Sequence, residues 1–395
     1  MFGSTRLAAV WCGACYLASA AVPSTPWLVA RTSAFEVFTD AGPQTARSTL
    51  LWFEELRAFF TRQTGLAITA GPPVRVIVFR STQEYSEFRP RPEASAFYAG
   101  MGAGNYVVME QSGVNWPGIA AHEYAHCLMH ANGVAFPAWL SEGLAEVFST
   151  VRIGEHASTI GSALPSRLQT LGRGDWIPLP ALLSTPDDTN AGNRFYAQSW
   201  ALAHMLVFSP EYSRFFPALI ASGGALSQSC GKPLDAIARD LRAWVDTPSH
   251  FQPITLGGLT APDISIQTAE LSSFERRRVL ADLLLTSTEF ARAAAMYEEL
   301  RREAPADKEV IAALGEIAVH NGDRPAALRA WKQAVDLGTR DPKLCMRYVA
   351  LAQQAGAPET EIRPVLERVL ALDPAYDDAR YQLALIDINT GDFDG

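Results

Sequence analysis

Apolar and polar residues alternate along Ala34-Phe35-Glu36-Val37-Phe38-Thr39, the period-two pattern of a strand with one buried face. From Thr45 to Thr64 the interval changes, and Leu50, Leu51, Phe53, Leu56, Phe59 and Phe60 recur at helical spacing. β-Branched runs return at Val74 to Phe79 and at Tyr106-Val107-Val108-Met109. Strands alternating with a helix predict a small mixed sheet over about residues 33–112. From Pro117 the pattern is helical, over about 117–131, 137–150, 190–208, 213–222 and 233–245. Pro248, Pro253, Pro262 and the Gly257-Gly258 pair then interrupt it, so residues 251–269 read as a linker after a domain spanning 27–250.

Residues 270–395 are alanine-rich, helical and strand-free in pattern. Gly322, Gly356 and Gly391 stand 34 and 35 residues apart, each after an Ala/Leu-rich helix. Asp341-Pro342 and Asp373-Pro374 open two of the units, and Ala304-Pro305 sits at the matching point earlier. A helix–turn–helix unit of this period with proline at the joint resembles the tetratricopeptide repeat. The resemblance implies an all-α solenoid whose concave surface binds a protein partner. Two departures are the 37-residue interval from Pro305 to Pro342 and a tryptophan, Trp331, in a second helix. Gly391-Asp392-Phe393 reads as the turn before a further helix, so the last repeat is expected to be incomplete.

Composition narrows the function classes. Of 395 residues, 48% are hydrophobic and 19% charged, as in a packed globular chain. The net charge of −9 argues against a nucleic-acid partner, whose phosphates need clustered Lys and Arg. Arg6, the apolar run from Leu7 to Ala21 and the small residues Ala18-Ser19-Ala20 form a secretory signal pattern. Residues 1–20 are therefore read as a cleaved signal peptide, with export to a bacterial-type periplasm, cell envelope or medium and no membrane span afterwards. Cys127, Cys230 and Cys345 would remain, too few for a disulfide framework and without metal-knuckle spacing.

The chemistry concentrates at His122-Glu123-Tyr124-Ala125-His126. Two histidines at i and i+4 share one helix face, so their imidazoles can hold one divalent cation, and Glu123 can reach a water on it. Pro117 opens this helix and Asn132-Gly133 ends it; a second helix near Pro137 carries Trp139-Leu140-Ser141-Glu142-Gly143-Leu144-Ala145-Glu146. A hairpin of the two helices can bring Glu142 against the histidine face, which would complete a two-histidine, one-carboxylate cation site with the fourth position left for water. His130 extends the spacing to i+8, but three ligands along one straight helix do not wrap a tetrahedral ion, so it is assigned to packing or capping.

HExxH followed by this W-L-x-E-G-x-A-E helix resembles the gluzincin metallopeptidases, and is similar to the peptidase MA-like domains among them. The resemblance covers about residues 33–245 and implies an α+β fold: a thermolysin-like small mixed sheet plus a helical subdomain, followed here by the repeats. It implies zinc on His122, His126 and Glu142, with Glu123 as general base and a peptide or protein as substrate. The spacer of 15 residues between His126 and Glu142 is shorter than in the aminopeptidase branch. The resemblance further implies that Glu146 orients a ligand histidine through its free ring nitrogen. In the helix opened by Asn193-Arg194-Phe195-Tyr196, it makes Tyr196 an oxyanion donor, with His204 as rival. It makes Tyr106 to Glu110 the edge strand that receives substrate. Gly100 to Asn105 only loosely matches the aminopeptidase recognition loop, lacking its glutamate. A second reading is a catalytically inactive peptidase-fold scaffold that works through its repeat surface; a third is a zinc hydrolase acting on something other than peptides.

Overall fold

In Val74-Arg75-Val76-Ile77-Val78-Phe79 every residue but Arg75 is buried, the mark of a strand covered on both faces. In the computed structural model, which describes residues 25–390 apart from 69–70, 93, 102–103, 112–114, 187–191 and 261–263, that strand is the middle of a mixed six-stranded sheet. Its strands are β1 (Leu28–Arg31), β2 (Phe35–Thr39), β3 (Val74–Phe79), β4 (Ala96–Met101), β5 (Gly104–Glu110) and β8 (Gln267–Glu270), in the order β4-β5-β3-β2-β1-β8. β3 runs parallel to both β2 and β5, and the remaining pairings are antiparallel. β6 (Ala157–Ile160) and β7 (Ile254–Gly257) form a separate two-stranded ribbon.

The helices up to residue 245 are α1 (Pro43–Thr64), α2 (Thr82–Tyr85), α3 (Trp116–Ala131), α4 (Ala138–Phe148), α5 (Pro165–Gly172), α6 (Leu179–Leu183), α7 (Gly192–Phe208), α8 (Phe216–Ala221), α9 (Leu226–Cys230) and α10 (Leu234–Val245). One face of the sheet, with Val37, Val76, Val78 and Val107, packs into a core shared with Phe53, Leu56 and Phe60 of α1 and Ala121, Tyr124 and Leu128 of α3. Cys127, Cys230 and Cys345 are buried free thiols.

Seven helices follow: α11 (Ser273–Thr286), α12 (Phe290–Glu303), α13 (Lys308–His320), α14 (Arg324–Asp336), α15 (Pro342–Gln354), α16 (Glu359–Leu372) and α17 (Asp377–Thr390). Consecutive helices pack as hairpins, a tetratricopeptide-like stack. Asp307, Asp323 and Asp341 each cap the helix they precede, accepting from Val310, Ala326 and Lys343 main-chain N–H at 2.9 Å. Trp331 keys the second hairpin together, its indole N–H donating to Ala312 O at 3.2 Å.

Two sequence expectations are corrected. Residues 251–269 do not merely link: they supply β7 and most of β8, and β8 pairs with β1 from Leu28↔Glu270 to Arg31↔Gln267. β5 is not an edge, because β4 covers it, and the open edge belongs to β4. A third finding concerns α11, whose Val279, Leu280 and Leu283 cover the second sheet face with Phe38, Ile77, Tyr106 and Val108. A polar network locks this contact: Arg75 bonds Asp282 Oδ2 at 2.8 Å and Glu36 Oε2 at 3.3 Å, as well as Tyr106 Oη, and Tyr297 bonds Asp282. The signal pattern and Gly391 to Phe393 lie outside the described residues, as do Gly102 and Ala103 of the glycine-rich loop.

Candidate metal centre

Helix α3 begins with proline in its first turn, where a missing N–H costs nothing, and turns Ala120, Ala121, Tyr124, Ala125 and Leu128 into the core. His122, Glu123 and His126 fall on the less buried side. Gly133, at φ 65°, ends the helix in the left-handed conformation, with Val134 N donating to Met129 O at 2.9 Å. The chain reverses into α4, which lies on α3 and on α7. At Gly143 a Cβ would stand 2.4 Å from Ser199 O of α7, so only glycine permits this approach. That contact brings Tyr196 of α7 into the cleft where Glu142 of α4 faces the histidines.

The ligand atoms form a nearly equilateral triangle. His122 Nε2 and His126 Nε2 are 3.2 Å apart, and Glu142 Oε2 lies 3.4 Å and 3.5 Å from them. Ligands tetrahedrally arranged at about 2.0–2.1 Å from a zinc ion are about 3.3–3.4 Å from one another. Glu142 Oε2 is buried and has no hydrogen-bond partner among the described residues; the two ring nitrogens stand 3.4 Å and 3.5 Å from it. Two imidazole nitrogens and a carboxylate oxygen aimed at one point need a proton or a cation between them, and the His₂Glu donor set suits zinc. His126 Nδ1 lies 3.3 Å from Ser141 Oγ, which turns Nε2 inward.

Charge and burial compete here. Burial disfavours protonation of His122, but Glu142 and the charges of Glu123 and Glu146 outweigh it and push its pKa up to about 9. Burial likewise opposes the Glu142 charge, yet the His122 and His126 rings beside it hold the carboxyl well below the usual range. For Glu123 burial dominates and raises the carboxyl, against the pull of His122 and His126; the Tyr98 main-chain N–H donates to it. Burial and then the Glu142 charge raise the Tyr196 phenol.

His122, Glu123, His126, Glu142, Glu146 and Tyr196 all line one open cleft of about 1170 Å³. Glu146 is placed differently from its expected role. Both its oxygens go to Arg167, with Nε–Oε2 at 3.2 Å, and Ser141 instead supports the His126 ring. The Arg167 guanidinium in turn lies over the Tyr196 ring, 5.4 Å from its centroid. His204 is not in the cleft: it is fully buried, with Nε2 2.9 Å from Gly161 O and Trp244 Nε1 donating to its Nδ1 at 3.2 Å. His130 is exposed and bonds Tyr98 Oη through Nδ1 at 2.8 Å.

Sequence reasoning missed Ser141, Tyr98 and Arg167. Ser141 carried a local signal, since it precedes Glu142 on the helix facing His126. Tyr98 and Arg167 carried none, because strand β4 and helix α5 reach the cleft only through long-range packing.

No protein-family model matches the chain, and no curated protein does. Among solved structures the chain is similar to the MamA protein, at 22% identity over 30% of this chain and 64% of that one, with a TM-score of 0.26. It is also similar to the Yersinia enterocolitica type III secretion chaperone SycD, solved with a peptide of the translocator YopD, at 16% identity over 30% of this chain and 92% of that one, with a TM-score of 0.24. The chain thus spans 64% of MamA's length and 92% of SycD's.

Proposed function

We propose that the chain is a zinc-dependent metallopeptidase whose helical repeats bind a protein partner. The observation that carries the reading is the triangle of His122 Nε2, His126 Nε2 and Glu142 Oε2, with sides of 3.2–3.5 Å. Bound there, zinc supplies a Lewis acid that polarises a carbonyl and lowers the pKa of water to about 7. Glu123, beside His122 and aligned by the Tyr98 N–H, takes the proton of the attacking water and delivers it to the leaving amine. Tyr196 donates a hydrogen bond to the carbonyl oxygen as it gains charge, a contribution of roughly 2.7–4 kcal/mol. The open edge of β4, which forms one wall of the cleft, accepts an extended peptide by main-chain pairing. The signal pattern supports an exported protein, and no described helix is long and apolar enough to cross a membrane.

Elemental analysis of the full chain tests this reading. One zinc per chain is expected, lost in His126→Ala and in Glu142→Ala. Glu123→Ala should keep the metal and lose cleavage of a peptide library that chelator also abolishes. A folded parent chain that refuses added zinc overturns the peptidase reading and leaves a repeat-bearing binding protein on an inactive scaffold.

A further inference from the structure

The cleft has a wall that does not come from the zinc-site helices. Thr286, Ser287 and Thr288, at the corner between α11 and α12, line the same cavity as His122, Glu123, Glu142 and Tyr196. This corner belongs to the first helical hairpin, and three independent features set it apart.

The first is strain. Thr288 has φ 63° and is the only non-glycine with positive φ among the described residues. A β-branched residue in that region is an outlier, and such strain persists where function retains it. The second is position in the repeat. Glu289 N bonds Leu284 O and Thr288 N bonds Leu285 O; Asp323/Gly322 and Ala357/Gly356 make the same two bonds at the next corners. Thr288, Gly322 and Gly356 recur at intervals of 34 residues, with φ of 63°, 78° and 80°. Glycine fits this cap without strain and occupies the two corners that do not line the cleft; the corner that does keeps threonine. The third feature is an orphan hydroxyl: Ser287 Oγ is buried and finds no hydrogen-bond partner among the described residues, a costly state unless something else supplies one.

We propose that the Thr286–Thr288 corner is a substrate-binding wall, at which the first repeat hydrogen-bonds a polar side chain of the peptide lying along β4. The proposal rests on the peptidase reading and adds to it the element that selects sequence. Ser287 and Thr288 both line the cleft, and Thr288 is exposed there. The hairpin is held in place by α11, which is packed on the sheet and tied through Asp282 to Arg75. A fixed hairpin can read a side chain, whereas a tethered one could only add avidity.

The test profiles cleavage of a random decapeptide library by the full chain and by Ser287→Ala, Thr288→Gly and their double variant, with Asn321→Ala at the next corner as control. Zinc content and melting temperature are read in parallel. The parent is expected to prefer hydrogen-bonding residues at one subsite. The cleft variants should lose that preference by roughly three- to tenfold, the worth of one neutral hydrogen bond, with zinc unchanged. Thr288→Gly relaxes the backbone, so it folds. Profiles superimposable on the parent's, with zinc intact, overturn the proposal and leave the peptidase reading standing. A zinc-loaded parent that cleaves nothing ends the peptidase reading instead. The same library carrying benzophenone then decides the wall: photo-attachment at 286–288 sustains it as a peptide contact, and attachment elsewhere overturns it.

Discussion

His204 provides a pH-dependent measure of the core that supports the site. Its ring sits among Trp200, Phe208, Trp244 and Phe251, fully buried. Nε2–H donates to Gly161 O and Nδ1 accepts from Trp244 Nε1, so the neutral tautomer satisfies both nitrogens. A second proton on Nδ1 would oppose the Trp244 N–H. Burial, together with the charge of His250 stacked on Trp244, lowers the pKa from 6.5 to about 4, against the opposing pull of the Gly161 carbonyl. The unfolded chain therefore binds a proton that the folded chain refuses between pH 6.5 and about 4, and stability falls as pH falls through that window. At about 1.4 kcal/mol per unit, the full loss is about 3 kcal/mol, of which about 2 kcal/mol is spent by pH 5. Urea denaturation at pH 7 and pH 5, in chelator so that metal release does not contribute, compares the parent with His204→Gln. The parent should lose about 2 kcal/mol more than the variant between the two pH values. Equal losses would refute the buried neutral ring. A variant that keeps zinc but loses all peptide cleavage would return His204 to the role of oxyanion donor.

Three further expectations follow from the packing around the cleft. Gly143→Ala forces a methyl group against Ser199 O and should destabilise the chain by roughly 1–3 kcal/mol while reducing zinc retention on dialysis. Tyr196→Phe should keep zinc and lower kcat on the peptide library by roughly 10²–10³, the cost of one oxyanion donor; an unchanged kcat removes Tyr196 from the chemistry. Arg167→Met strips the partner from the buried Glu146 carboxylate and should lower stability by about 1–3 kcal/mol in urea, with zinc stoichiometry preserved.

The cluster of His122, His126 and Glu142 was legible because each part of it is local. His122 and His126 are one helical turn apart, and the α3–α4 hairpin needs only a short reversal at Gly133 to present Glu142. The strands that complete the sheet were illegible for the opposite reason. β8 is Gln-Thr-Ala-Glu with every residue exposed, so no apolar alternation marks it, and it is a strand only because β1 offers it hydrogen bonds. β4 carries a glycine and reads as loop until β5 pairs with it. The ion pair of Glu146 with Arg167 spans 21 residues and depends on where α5 packs, which no periodicity encodes. Thr288 stands one repeat period before Gly322, but in the sequence the glycines, not their replacement, advertise the repeat.

The division at residue 250 fails for a related physical reason. A sheet whose central strand is apolar on both faces must be covered twice. α1 and α3 cover one face; on the other, with Phe38, Ile77, Phe79, Tyr106 and Val108, the residues up to 250 supply Tyr85 and Phe88, which pack on Phe79. α11 adds Val279, Leu280 and Leu283 to that cover, and β8 satisfies the β1 edge just before it. The first repeat is thus part of the core that carries the candidate metal site as well as the start of the solenoid. Its two ends do different work: the α11 face holds the sheet, and the α11–α12 corner reaches the cleft. A partner that bends or displaces the later hairpins would therefore pull on a corner that lines the site. Under the peptidase reading, the repeats would then have a mechanical route to the cleft that a flexible linker would have cut.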